Sequence, residues 1–306
     1  MLKKLKYGLS RFKSELIGKT DYWHTTMNSR NYSLHGEIDK YYVDISEKGK
    51  YPFKTQNNIP IVKINEQDLI LPVTVLNYGL GLIDLFSDNN TDLSYKIKSV
   101  SNWLIENQTQ NGFWSTPIKD ATYNLSENWL SGMVQGLAIS FFIRGTYHKI
   151  LSYDEIKNSL DLALKTMLSD KIVNHSVNGE IIEEYGGTKT NVLNGFIFAI
   201  YGLADYGKFT GDFSFFHRFE KSLYNILPVY DYYSWSYYDS KKLIASRFYH
   251  ELHIEMLRSM YFFTRKEKYN EYYRKWEKAK TLSFIFILSK AIQKIAGLKK
   301  IDTLEN

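Results

Sequence analysis

Four segments of this chain are apolar almost all the way round, and they begin at residues 72, 127, 190 and 246, so that their starts lie 55, 63 and 56 residues apart. They read PVTVLNYGLGLIDLF, ENWLSGMVQGLAISFFIRGTYH, TNVLNGFIFAIYGLADY and SRFYHELHIEMLRSMYFFT. Each is rich in small residues and keeps polar or aromatic groups at its N-terminal end. A helix with no polar face must be buried on every side. After each comes a segment with charges along one face: DLSYKIKSVSNWLIENQ, SYDEIKNSLDLALKTMLS, FSFFHRFEKSLYNIL and RKEKYNEYYRKWEKA. A buried helix followed by a half-exposed one, repeated at a nearly fixed period, predicts a mainly α fold, an α/α toroid or barrel of about four helix pairs.

The remaining organisation follows from where this pattern starts and stops. Residues 36–71 predict short strands in KYYVDI and IPIVKI, separated by the turn-rich SEKGKYPFKTQNN. The division is thus 1–71, a basic helix and a small β segment; 72–280, the barrel; and 281–306, a basic amphipathic tail. One hairpin interrupts the helices, because Asn178-Gly179 in KIVNHSVNGEIIEEY is a two-residue turn signal between β-branched stretches. Strand alternation then puts Glu180, Ile182 and Glu184 on one face and Glu183 and Tyr185 on the other, so that a single glutamate faces any one site. In such a barrel the loops entering the inner helices converge on one mouth. EEYGGT, WSYYDSKK and NGFWSTP lie in those loops.

Composition narrows the chemistry. With 44% hydrophobic and 24% charged residues, the 306-residue chain is a folded one. The absence of cysteine excludes disulfides and thiolate metal sites. MLKKLKYGLSRFKSELIG has no continuous apolar core of a secretory signal, which points to a cytoplasmic protein of a bacterium. FIFIL is far too short to span a bilayer. The basic stretch KTLSFIFILSKAIQKIAGLKK, with Lys3, Lys4, Lys6, Arg11 and Lys13 at the other end, reads first as a solvated helix packed on the domain. Peripheral attachment to an anionic inner-membrane surface is the second reading.

A net charge of +6 favours an anionic partner. The basic residues are scattered and carry no recognition motif, which sets nucleic acid aside. No P-loop, dinucleotide fingerprint or nucleophile elbow is present, and no cofactor is expected. His250 and His253 are spaced i, i+3 but lack an HExxH pattern and a third ligand, so packing is the first reading and no metal is expected. The 25 tyrosines, 18 phenylalanines and 6 tryptophans suit both an aromatic core and the stacking of sugar rings.

Several of these stretches carry a family pattern. EEY before a VLNGF helix, LP-x-YD, S-x-YD-x-basic and YH-x-x-HI-x-x-L occur in that order. Upstream come KYYVD, PVT-x-x-x-YGLG and W-x-S-x-x-x-QG-x-x-IS-x-x-x-R. Over residues 36–280 the chain resembles the C-terminal region of the D-glucuronyl C5-epimerases, which act on heparosan-type polysaccharides. The resemblance implies an α/α barrel and conversion of D-glucuronate to L-iduronate in an anionic uronic-acid polysaccharide, without a redox cofactor. It leaves room for a homodimer.

That reaction removes the proton α to a carboxylate and returns one to the opposite face, which calls for acid/base groups on both faces and a cation or donors for the carboxylate. By resemblance Glu184 and Tyr249 are the acid/base pair, supported by Tyr185 and Tyr238. Lys241 and His250 are the neighbouring cation and donor, and Asn194, Trp129, Gln135 and Trp114 line the substrate mouth. The residue types alone allow blander readings: solvated glutamates at a turn, and a tyrosine packed in the core. The sequence departs from the family twice. Lys241 stands where the turn carries arginine, which keeps the charge but loses the planar fork. Gly186 stands where proline follows EEY, predicting a looser corner. A uronic-acid polysaccharide lyase shares the same first step, and a non-catalytic glycan-binding relative would keep the barrel without the chemistry.

Overall fold

The computed structural model describes residues 22–279, except 23, 35, 65, 87–90 and 178, followed by 285, 286, 288–290, 292 and 293. The basic residues Lys3 to Lys13 and everything beyond 293 lie outside these. In chain order come α1 (Ser46–Lys50), the strands β1 (Lys54–Gln56), β2 (Ile59–Ile64) and β3 (Gln67–Leu69), then α2 (Pro72–Leu85) and α3 (Thr91–Asn107). Next are α4 (Gly132–Tyr147), α5 (Tyr153–Met167), the hairpin β4 (Val173–Ser176) and β5 (Gly179–Ile182), α6 (Leu193–Thr210) and α7 (Ser214–Ile226). A short 3-10 turn, Leu227–Tyr230, leads to β6 (Asp231–Tyr232), β7 (Trp235–Ser236), α8 (Arg247–Thr264) and α9 (Glu267–Lys278). The described chain is therefore mainly helical, with three small antiparallel sheets.

All four apolar segments are the buried helices α2, α4, α6 and α8, and the amphipathic segments are α3, α5, α7 and α9. The buried helices pack in succession, α2 on α4, α4 on α6 and α6 on α8. Their small residues permit this. A Cβ on Gly136 of α4 would lie 2.5 Å from Ala199 Cα, and one on Gly202 of α6 would lie 2.5 Å from the carbonyl oxygen of Gly136. Around that contact Leu137, Phe141, Ile197 and Leu203 are fully buried, each contributing about 1.5–3 kcal/mol relative to exposure.

The N-terminal segment departs from expectation. IPIVKI is β2, but KYYVD forms no strand and SEKGK is α1, not a turn. The reason lies in who takes the backbone hydrogen bonds. Asp84 accepts the Tyr41 and Ile45 N–H groups at 2.8 and 3.2 Å, and Arg144 donates to the Lys40 carbonyl at 2.5 Å. These side chains take the Lys40, Tyr41 and Ile45 groups and leave KYYVD a short antiparallel bridge, Val43 to Ser29, in which the Tyr42 carbonyl accepts the Arg30 N–H at 3.0 Å and Asp44 N–H donates to the Asn28 carbonyl at 2.7 Å; Tyr41 and Tyr42 are driven to zero exposure between the helices. Arg144 forms a two-pronged pair with Asp205 at 2.8 and 2.9 Å, and Tyr42 donates to the same carboxylate at 3.0 Å.

The predicted hairpin is present, with Val173 opposite Ile182. Asn178 itself is outside the described residues, while Gly179 adopts φ +121°. A second hairpin, β6–β7, turns through Tyr233 and Ser234, both at positive φ, the geometry of a tight two-residue turn. Of the tail, Phe286 stacks on Trp235 at 4.7 Å and Gln293 accepts the Ile244 N–H at 3.0 Å. Among the described residues no helix is long and apolar enough to cross a membrane.

Candidate active site

Strand β5 ends at Ile182, so alternation no longer governs the residues behind it. Glu183, Glu184 and Tyr185 are all buried, but they do different things. Glu183 Oε2 accepts the Thr190 and Asn191 N–H groups at 3.1 and 3.0 Å and the Thr190 hydroxyl at 3.3 Å. It thereby folds the 184–191 loop back on itself, with Lys189 and Asn191 held at positive φ. Burial raises its pKa, and the hydrogen bonds from Asn191 and Thr190 act against the rise.

Glu184 takes the other direction and lies against the first turn of α6. A Cβ on Gly195 would sit 2.5 Å from the Cβ of Glu184, so only glycine there leaves the carboxyl its place. The side chain is 6% exposed and its Oε2 has no hydrogen-bond partner. Burial lifts its pKa to about 8; a hydrogen bond from Tyr185 pulls it down, while Asp120 and Glu183 push it further up. The charges acting on Glu184 are thus both negative, and at neutral pH it holds its proton.

Tyrosines enclose it. Tyr185 and Tyr238 share a hydrogen bond, and both phenols are pushed far above the ordinary value, first by burial and then by Glu184. Tyr238 meets the half-buried Tyr249 edge-on, with ring centroids 4.7 Å apart. Its carbonyl accepts the Leu193 N–H at 3.0 Å, which fixes the 238 turn to the start of α6. Trp129 lies 5.0 Å from the Tyr185 ring and donates its indole N–H to Ile118. Glu184, Tyr185, Tyr238, Tyr249 and Trp129, named from sequence, are therefore gathered together. The break in alternation after β5 is what lets Tyr185 join Glu184 instead of Glu183.

Others are placed elsewhere or differently. Asn194 and Gln135 begin α6 and α4, are buried, and carry unpartnered polar atoms, the condition of groups that await water or ligand. Lys241 is exposed, its Nζ 3.5 Å from the Thr188 carbonyl. His250 is not gathered in: its ring stacks on Trp235 at 3.6 Å, Nδ1 accepts the Ser236 N–H at 3.0 Å, and Nε2 therefore donates to the Trp276 carbonyl at 3.2 Å. Trp114 is core, its indole N–H on the Leu104 carbonyl at 2.8 Å and its ring beside Phe142. Gly186 is not a loose corner, since a Cβ would meet Leu130 at 2.7 Å and its N–H, which proline lacks, donates to the Leu130 carbonyl at 3.1 Å.

Sequence reasoning missed three contributors. Asp239 is buried beside Tyr238; Tyr123 and Asp120 come from the irregular connection between α3 and α4. Asp239 was visible in the S-x-YD-x-basic turn. For Tyr123 the only signal was the length of that connection, which in a compact domain marks a functional loop.

A model of the D-glucuronyl C5-epimerase C-terminus matches residues 108–278. A protein of Methanocaldococcus jannaschii described as uncharacterized is 28% identical over 174 residues, 53% of this chain and 56% of its own length. A D-glucuronyl C5-epimerase of Caenorhabditis elegans is 28% identical over 196 residues, 54% of this chain and 32% of its own. The match thus spans little more than half of one relative and a third of the other. Glu184, the four tyrosines at 123, 185, 238 and 249, and Asp239 all fall inside the matched segment.

Proposed function

Because the chain belongs to the D-glucuronyl C5-epimerase family, matched by its C-terminal segment, we propose that it is a polysaccharide uronate C5-epimerase, converting D-glucuronate units to L-iduronate. The successive packing of α2, α4, α6 and α8 is read as the inner ring of an α/α toroid, with the site at the mouth where α4 and α6 begin.

The observation that carries the reading is the state of Glu184: buried, without a counter-charge, with one oxygen unpartnered and a pKa near 8. A base abstracts a weakly acidic C–H best when its own pKa lies near the working pH. In its ionised fraction, Glu184 takes the C5 proton through Oε2. The electron pair left on C5 delocalises into the uronate carboxylate, and the Tyr249 hydroxyl delivers a proton to the opposite face. Glu184 ends protonated and Tyr249 ionised, and exchange with solvent resets both. Lys241, on the turn after Tyr238 with its Nζ 3.5 Å from the Thr188 carbonyl, is the cation for the uronate carboxylate.

Incubating the protein with a heparosan-type polymer in deuterated water tests this. Deuterium at C5 together with iduronate is the expected result. An unsaturated product absorbing in the ultraviolet would instead identify a lyase, and an unlabelled, unchanged polymer would refute the assignment.

A further inference from the structure

At the far end of the described chain, residues 285, 286, 288–290, 292 and 293 are helical and lie along one edge against the β6–β7 hairpin and the turn behind it. Phe286 is buried, stacked on Trp235 at 4.7 Å and meeting Tyr232 at 6.0 Å. Gln293 accepts the Ile244 N–H at 3.0 Å and donates to the Lys242 carbonyl at 2.8 Å. The adjoining helix face carries Ile285, Leu288 and Ile292, spaced i, i+3, i+7, and these are 56%, 46% and 59% exposed. Tyr233 at the hairpin tip, its ring 5.2 Å from that of Tyr232, is 83% exposed. Single exposed apolar side chains are ordinary, whereas three in line on one helix face mark a surface that meets something. Between helix and hairpin runs a groove of about 380 Å³, walled by Tyr232, Tyr237, Ile244 and Ile292 with Lys242 beside them.

We propose that the face formed by Ile285, Leu288 and Ile292, together with Tyr233, docks this protein on an anionic phospholipid bilayer. Charge selects the bilayer over a second copy of the chain. Residues 280–300 contain five lysines and no acidic residue, and Lys242 adds an exposed ammonium at the groove. A second copy would bring the same lysines to the contact and meet them with like charge, while anionic headgroups attract each lysine near the surface. A helix with isoleucine and leucine on one face and a basic surrounding lies in the plane of such an interface. Tyrosine, apolar in its body and polar at its tip, suits the headgroup level. The groove answers to both parts of a phospholipid, offering aromatic and branched walls to acyl carbons and an ammonium to phosphate. Because Gln293 grips the turn that carries Tyr238 and Lys241, attachment here holds the candidate site close to the membrane surface. Docking of this kind stands whichever reaction the protein catalyses.

Flotation of the full chain with unilamellar vesicles provides the test. Wild type should float with vesicles of equimolar phosphatidylcholine and phosphatidylglycerol and stay behind with phosphatidylcholine alone. Ile285→Ser and Leu288→Ser should each weaken binding about tenfold, the scale of one aliphatic side chain no longer buried, and Tyr233→Ser should weaken it by less. All three positions are exposed, so the far-ultraviolet circular dichroism should not change. Wild type that stays behind with the anionic vesicles, that floats equally with both kinds, or that binds no better than the serine variants overturns the proposal. So does wild type that sediments as a dimer without lipid and as a monomer once Ile285→Ser and Leu288→Ser are combined, because the face then belongs to a second copy.

Discussion

Arg144 is buried among Tyr32, Tyr41 and Tyr42 much as Glu184 is buried beside Tyr185 and Tyr238, yet the first charge has its counter-charge and the second does not. Around Arg144 every demand is met: Asp205 takes two prongs, the Lys40 and Asp39 carbonyls and the Tyr32 hydroxyl take the rest, and three tyrosine rings lie within 5.6 Å of the guanidinium. Around Glu184 the nearby charges are of its own sign, and one oxygen bonds to nothing. The same ingredients thus build a structural lock in one place and a reactive group in the other. What separates them is satisfaction, since a fully paired buried network rigidifies a fold while an unpaired titratable group is held in readiness for something else.

The largest expected effect is on catalysis. Glu184→Gln removes the proton acceptor and should lower C5 exchange by about 10²–10⁴-fold, measured as deuterium incorporation, with the far-ultraviolet circular dichroism unchanged. Arg144→Met should do the opposite. Leaving Asp205 buried and unpaired should cost about 3–5 kcal/mol of stability, read by urea unfolding, with activity per folded molecule retained. If Arg144→Met proves inert for stability, the contrast between lock and reactive group fails.

The two clusters should also differ in their response to pH. The Glu184 pKa is raised from 4.5 to about 8 in the folded protein, so between these values the native state holds a proton that the unfolded chain has released. Stability from this group is accordingly full below pH 4.5 and falls as pH rises towards 8, while the epimerisation rate climbs over the upper part of the same window. Glu184→Gln should flatten the stability profile and melt higher than wild type at pH 9. A profile unchanged by the substitution would show that Glu184 ionises freely.

Smaller effects sharpen the local geometry. Gly195→Ala places a methyl group against Glu184 and should lower the rate by more than tenfold, with a stability loss of about 1–3 kcal/mol from overpacking. Lys241→Arg, at an exposed position, should leave stability within about 0.5 kcal/mol and the rate at or above wild type. A sharp loss of rate would mean that the ammonium is used as a compact donor that the fork cannot replace.

Much of this was legible in the residues. The four buried helices could be read from their all-round apolarity, and the β4–β5 hairpin from Asn178-Gly179. Glu184 and the tyrosines at 185, 238 and 249 were named before any geometry. The failures share a cause, which is that side chains from distant elements took over backbone or ring partners. Asp84 and Arg144 captured the Lys40, Tyr41 and Ile45 backbone groups, which leaves KYYVD a bridge to Ser29 in place of a strand. Ser236, Trp235 and Trp276 captured His250, although its neighbour Tyr249 faces the site. Tyr123 lies in a stretch without periodicity, where no local pattern says that its hydroxyl finds Asp239.

Burial without a counter-charge is what keeps the proton on Glu184 at neutral pH. Carbon-13 carboxyl shifts of glutamate-labelled protein, followed through a pH titration and assigned by the signal missing in Glu184→Gln, test it most directly. A resonance that titrates near 8 is expected, and one that titrates in the ordinary glutamate range, near 4.3, would show that burial does not hold the proton on Glu184.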